Sequence, residues 1–282
     1  MSSMAKPRRL DLSWLKPPKA SEDGRMALVD HLREFRYRVV VSITAIVIMS
    51  IAAWYFFQSL FDVVMWPLNR AVHAISLSRP DLQIKVSYEG IASSLLLRLE
   101  VSVIAAVIIS CPVWLYQLWA FIVPGLYARE KRWALTFLGS AIPLFLTGVA
   151  VGYFIMPRGY QFMLSFVPKD SNALSLLEAN NFLATEMKIV LLFGFSFLLP
   201  VVLVMLNFIG LLKGEQLRRF RKFGIFLCFV FAAVVTPSTD PFSMTALAVP
   251  MAVLYYVAEV ISRRHDAHKA LQADDDMVVS ID

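Results

Sequence analysis

Runs of apolar residues, each about the length of a bilayer-spanning helix, constrain this chain more than any other feature. A spanning helix needs roughly 20 mostly apolar residues. Such runs occur at 39–61, 95–123, 133–156, 182–212 and 242–261, with a shorter one at 223–235. Hydrocarbon offers no water to bond backbone N–H and C=O groups, so runs of this length fold as helices. Composition agrees: 58% of the residues are apolar and 17% charged, against roughly 45–50% and 25% in soluble domains. The expected fold class is an all-α integral membrane protein with six transmembrane helices.

The block 223–235 covers about 20 Å at 1.5 Å per residue, short of the ~30 Å hydrocarbon core. Only residues 236–241 separate it from the next block, so the two read as a tight hairpin of short spans. The connections at 62–92 and 157–182 read as long loops. Most of the 27 Lys and Arg residues lie before the first block, at 129–132, at 213–222 and after 261. Positive charge marks the cytoplasmic side, which puts both termini and the two short basic loops inside. The net charge of +6 therefore reads as membrane orientation, not as a nucleic-acid surface. Residues 1–24 and 265–282 read as disordered cytoplasmic tails flanking a transmembrane domain at 25–264. The N-terminal region carries no cleavable-signal pattern, and Arg8-Arg9 stands about thirty residues before the first apolar block, as in a basic tail.

Within the blocks, Pro112, Pro143, Pro200 and Pro250 each remove a backbone donor and are expected to bend their helices. Gly148 and Gly152 form a small-xxx-small pair suited to close helix packing within the chain. Charges are few. Arg98, Glu100, Glu186, Lys188 and Glu259 all fall near block ends, where they are expected to reach an interface. Cys111 and Cys228 read as small buried apolar residues. The four histidines, His31, His73, His265 and His268, form no ligand set. No hydrolase, metalloprotease or nucleotide-binding motif occurs. The chain is expected to be no enzyme and to need no cofactor.

The segments bordering the inner face are more specific. Met26–Arg36 carries Leu28, Leu32 and Phe35 at helical spacing, an amphipathic helix approaching the membrane interface. Glu34 stands there among Arg33, Arg36 and Arg38, with Arg38 at the i,i+4 position of a surface ion pair. Tyr127–Arg132 holds Glu130 beside Lys131. Two carboxylates at one membrane face suit a ligand bearing two arginines, because Arg–carboxylate pairs can be bidentate.

Four ordered motifs resemble the TatC family, the multi-spanning subunit of the twin-arginine protein translocase. They are His31–Arg36; Ser110–Tyr127 with Glu130-Lys-Arg; Phe193–Pro200; and Thr236–Ser243 with Ala248–Met251. The resemblance covers residues 26–264. It implies a concave six-helix bundle in the bacterial cytoplasmic membrane, acting as signal-peptide receptor and scaffold for export of folded proteins with the protonmotive force. It implies TatA and TatB as single-span partners, self-association within the complex and no nucleic acid. It places signal-peptide binding at Glu34 and Glu130, with Leu32, Arg36, Phe121 and Lys131 around them, and partner-subunit contact at Leu198, Thr236 and Met244. Family members often carry Glu or Gln where this chain has Leu198, and Gln where it has Met244. The rival class, a small-solute secondary transporter, predicts polar groups at mid-membrane and internal repeats, and the sequence shows neither.

Overall fold

The computed structural model describes residues 28–78, 84–87, 90–122, 130–166, 175–236 and 241–279. The architecture is all-helical apart from one short strand pair. Helix α1 (Leu28–Tyr55) joins the expected interfacial helix and the first span into one unbroken rod. A turn at Phe56 leads into α2 (Phe57–Ser78). The first part of the expected loop at 62–92, residues 62–78, is thus helical, although its Pro67 and charges suggested a loop. Val64, Leu68, Ala71 and Ile75 recur at helical spacing on α2 and are buried, which is what holds this segment as a helix.

The second apolar block divides at Ser110 into α3 (Ile91–Ile109) and α4 (Cys111–Ile122). Pro112 lies in the first turn of α4, where a helix has no use for the missing N–H. The proline therefore starts a new helix where a bend was expected. Pro200 acts likewise: the fourth block divides at Leu198 into α6 (Ala179–Phe197) and α7 (Leu199–Phe208). Between these lies α5 (Glu130–Ser165), which absorbs both Pro143 and Pro157 and runs well past the expected end of the third block. Strands β1 (Ile84–Ser87) and β2 (Ser175–Glu178) pair in parallel, tying the connection between α2 and α3 to the one that precedes α6.

The short helix α8 (Gly214–Arg219) precedes α9 (Arg221–Val235) and α10 (Pro241–Val279). Helix α10 continues through residues 265–279, where a disordered tail was expected. Ala, Leu, Gln, Lys and Arg are good helix formers, and no Gly or Pro interrupts them. Residues 1–27 and 280–282, which hold the rest of the expected tails, lie outside the described residues. Five described helical stretches are long and apolar enough to cross a membrane: 29–55, 92–109, 136–165, 182–208 and 241–272. Helix α9, with 15 residues, spans about 22 Å.

Helices α5 and α6 make the most extensive pairing, and glycines permit it. A Cβ on Gly148 would lie 2.5 Å from the Phe193 carbonyl oxygen, and one on Gly194 would lie 2.8 Å from both Phe145 and Val149. Gly148 and Gly152 thus pack within the chain, as expected. Around this pair, Phe193, Phe197, Leu247 and Met251 centre one core cluster, Leu115, Phe137 and Phe145 a second, and Val101, Leu183 and Met187 a third.

Candidate functional site

The interfacial half of α1 presents a stripe at helical spacing: His31, Glu34, Phe35 and Arg38. It faces Gln117 and Phe121, one turn apart on α4. His31 stacks on Phe121 with ring centroids 4.7 Å apart and planes inclined by 19°, and Phe35 meets the same ring at 5.1 Å. Such pairs add roughly 0.5–1.5 kcal/mol each beyond area burial, so they pin the start of α1 to the end of α4.

Glu34 lies inside this seam at 5% exposure. An uncompensated carboxylate there would be costly. Arg38 supplies the compensation: its Nε donates to Glu34 Oε1 at 2.9 Å, and its terminal nitrogen donates to the same oxygen. Arg38 also donates to Gln117 Oε1 at 3.4 Å. The expected i,i+4 pair is present, yet it is a buried pair and not a surface one. Glu34 Oε2 is buried and has no hydrogen-bond partner among the described residues. The carboxylate thus holds one oxygen in reserve beside an aromatic wall.

Leu32 is 65% exposed, and Arg36 is also exposed. Phe121 is half-buried under His31 and Phe35. Glu130 and Lys131 are the first two residues of α5, but their side chains lie outside the described part. The structure therefore places Glu34 and Phe121 in one seam, through Arg38 with Gln117 and through His31 with Phe35, while exposed Leu32 lies on another face of α1. Gln117 was not singled out from sequence. Its signal was available, since it sits four residues before Phe121 in the motif on α4 and so shares its face.

The three residues expected at a partner subunit lie elsewhere. Leu198 is buried at the α6–α7 break with Leu115, Ala141 and Met205. Thr236 caps α9, its buried hydroxyl donating to the Ala232 carbonyl at 2.6 Å. Met244 packs partly buried against the central core.

Two acidic residues expected to reach an interface are instead fully enclosed. Glu186 has no exposed surface, takes one hydrogen bond from the Tyr160 hydroxyl at 3.1 Å, and keeps its other oxygen without a partner among the described residues. Its neighbour Lys188 is engaged by Glu100 on α3 at 3.0 Å. Glu259 is also fully buried and receives a bidentate pair from Arg221 at 2.6 and 2.7 Å, with Arg263 at 4.0 Å. This clamp ties α9 to α10 at their basic end.

A second tie lies close by. Asp266 accepts from the Gly214 amide at 2.7 Å and from Asn207 Nδ2 at 2.8 Å, and Asn207 Nδ2 also donates to the Leu212 carbonyl. With Asn207 Nδ2 acting as donor, its Oδ1 accepts from His265 Nδ1 at 3.1 Å. Asp266→Ala should therefore free the turn between α7 and α8. Hydrogen exchange at the Gly214 amide is expected to rise by about fivefold or more, as befits loss of a hydrogen bond worth about 1 kcal/mol. An unchanged exchange rate would show the tie to be idle.

Among the described residues, no group of three or more His, Cys, Asp and Glu side chains could hold a metal ion. Fold and site define a polytopic helical membrane protein with a carboxylate set in an aromatic seam where its first helix meets the membrane interface. Residues 30–250 match the family model described as Sec-independent protein translocase protein (TatC), and the chain belongs to that family. A TatC of Frankia casuarinae is 38% identical over 100% of this chain and 78% of its own length. One of Aquifex aeolicus is 34% identical over 83% of this chain and 93% of its own. A crystal structure of a twin arginine translocase receptor, TatC, in DDM superposes with a TM-score of 0.69 at 33% identity, covering 82% of this chain and 99% of that one. The chain is thus a protein-translocase component and not a catalytic enzyme.

Proposed function

We propose that this chain is the signal-peptide receptor and core scaffold subunit of a twin-arginine translocase. In this reading it lies in the bacterial cytoplasmic membrane with both termini in the cytoplasm, and α9 forms the short fifth of six spans. It works with single-span TatA and TatB subunits and further copies of itself, and exports folded proteins with the protonmotive force.

The observation that carries the reading is the Glu34 carboxylate, one oxygen paired to Arg38 and the other buried without a partner among the described residues. A guanidinium is flat, always charged, stacks on aromatic rings and bonds carboxylates in plane. An incoming arginine reaches the second Glu34 oxygen and the Phe121 ring by displacing the His31 and Phe35 rings that cover them. Glu130 at the head of α5 takes the second arginine, Lys131 and Arg36 flank the pair, and exposed Leu32 meets the apolar residues that follow. Buried Leu198, capping Thr236 and half-buried Met244 act on partner subunits by shaping the α6–α7 break and the α9–α10 junction.

Photocrosslinkers at positions 32 and 121, in the assembled complex, test the reading. They should capture a twin-arginine precursor and lose most of that yield when its arginine pair becomes a lysine pair, because lysine cannot make the bidentate contact. Equal yields from both precursors would overturn it.

A further inference from the structure

A groove of about 440 Å³ runs between α4, α5, α7 and α10, walled by Trp119, Phe137, Leu144, Val204, Val257 and Ile261 among others. Its few polar groups are committed elsewhere. The Ser140 hydroxyl donates to the Thr136 and Phe137 carbonyls at 3.0 and 2.9 Å, and His265 at one end donates to Asn207. An apolar trough of this kind on a membrane protein suits an occupant with nothing to hydrogen-bond along its length.

The groove's wall on α10 changes character at one end. Leu254, Val257 and Ile261 are apolar, and the same helical stripe continues as Arg264, His265 and His268. Arg264 is exposed and makes no ion pair among the described residues, and Lys269 follows one turn beyond. The apolar trough thus opens onto a rim that carries exposed Arg264 and His268, with the Asp266 carboxylate turned away to the Gly214 amide and Asn207. A phospholipid has the matching polarity: an acyl chain below and a phosphate above.

We infer that this groove is a binding site for an anionic phospholipid, one acyl chain lying along Val204 and Val257 and the phosphate resting at Arg264 and His268. The inference is independent of the receptor reading, since it needs only the membrane embedding and the groove.

Trp119 in the groove wall serves as the probe. The full chain is placed in mixed bilayers containing phosphatidylglycerol or phosphatidylcholine brominated in mid-chain, and the Trp119 contribution is isolated by difference against Trp119→Phe. Brominated phosphatidylglycerol should quench at a mole fraction about fivefold lower than phosphatidylcholine through Arg264 alone, an arginine near the surface being worth about 1 kcal/mol. Arg264→Gln with His268→Gln, both exposed positions, should bring that ratio to about one. Val204→Phe should reduce quenching by both lipids. Should a groove variant fold poorly, native mass spectrometry of the unaltered chain gives a second reading: retained phosphatidylglycerol should exceed phosphatidylcholine, and R264Q/H268Q should erase the excess. Equal behaviour of the two lipids overturns the proposal. So does stoichiometric displacement of the lipid by a purified single-span subunit, which would make the groove a helix-docking site.

Discussion

Glu34→Gln is expected to weaken arginine-dependent capture of a twin-arginine precursor by about 10- to 100-fold. The substitution keeps shape and volume but removes the charge. Hydrogen bonds to charged groups contribute about 1.5–3 kcal/mol, and each 1.4 kcal/mol is tenfold in affinity. Because Glu34 is nearly enclosed and paired with Arg38, the change also removes that ion pair, and an unaltered thermal midpoint of the variant assigns the loss to the ligand. Glu130→Gln should act in the same direction. If the two glutamates hold different arginines, the double substitution should multiply the two effects and leave only apolar attachment. Crosslinking yield against precursor concentration in membrane vesicles, at matched levels of the complex, measures this. Undiminished arginine-dependent capture by the double variant would remove both residues from the site.

Gly148→Ala should destabilise the protein strongly for a change of one methyl group. The added Cβ would meet the Phe193 carbonyl oxygen at 2.5 Å and the Phe197 side chain at 2.8 Å. Backbone cannot step aside as a side chain can, so α5 and α6 must separate along their length. Overpacking typically costs about 1–3 kcal/mol, sometimes more. Gly139 lies on the same helix, and a methyl group added there would find nothing within 4 Å. Gly139→Ala should be neutral or stabilising by up to ~1 kcal/mol through helix propensity. Thermal unfolding of the purified chains in detergent compares the two. A fall in midpoint for Gly139→Ala equal to that for Gly148→Ala would show that the α5–α6 contact does not set the effect.

The apolar blocks announced the spanning helices because hydrocarbon leaves the backbone no alternative, and Gly148 with Gly152 announced close packing by residue size alone. Other features were written in the sequence less directly. The buried face of α2, at Val64, Leu68, Ala71 and Ile75, has ordinary helical periodicity, but Pro67 and nearby charges masked it. Pro112 and Pro200 were expected to bend helices, and each instead sits in the first turn of a new one. Whether a proline kinks or begins a helix depends on what fills the break, here Ser110 and Leu198. The fates of Glu186 and Glu259 were not legible at all. Their depth along the sequence suggested access to water, yet neighbouring helices close over both. Position along a span sets distance from an interface, while enclosure depends on which helices stand beside it. The site divides similarly. Glu34 and Arg38 were readable as a local pair, whereas their burial against Gln117 and Phe121 required α4 to be brought alongside.

The continuity of α1 has a mechanical consequence. Its 28 residues make a rod of about 42 Å, with the Glu34 seam near one tip and Tyr55 at the other. No proline or glycine interrupts it, so it has no internal joint at which a displacement could dissipate. Its seam to α4 acts as a fulcrum. Prising that seam open by about 10° would swing the far tip through roughly 7 Å over the rod's length. Such a swing would have to break the Arg98 bond to the Trp54 carbonyl at 3.0 Å and the packing of α1 on α3, so the rod is held at both ends and moves only when both ties yield.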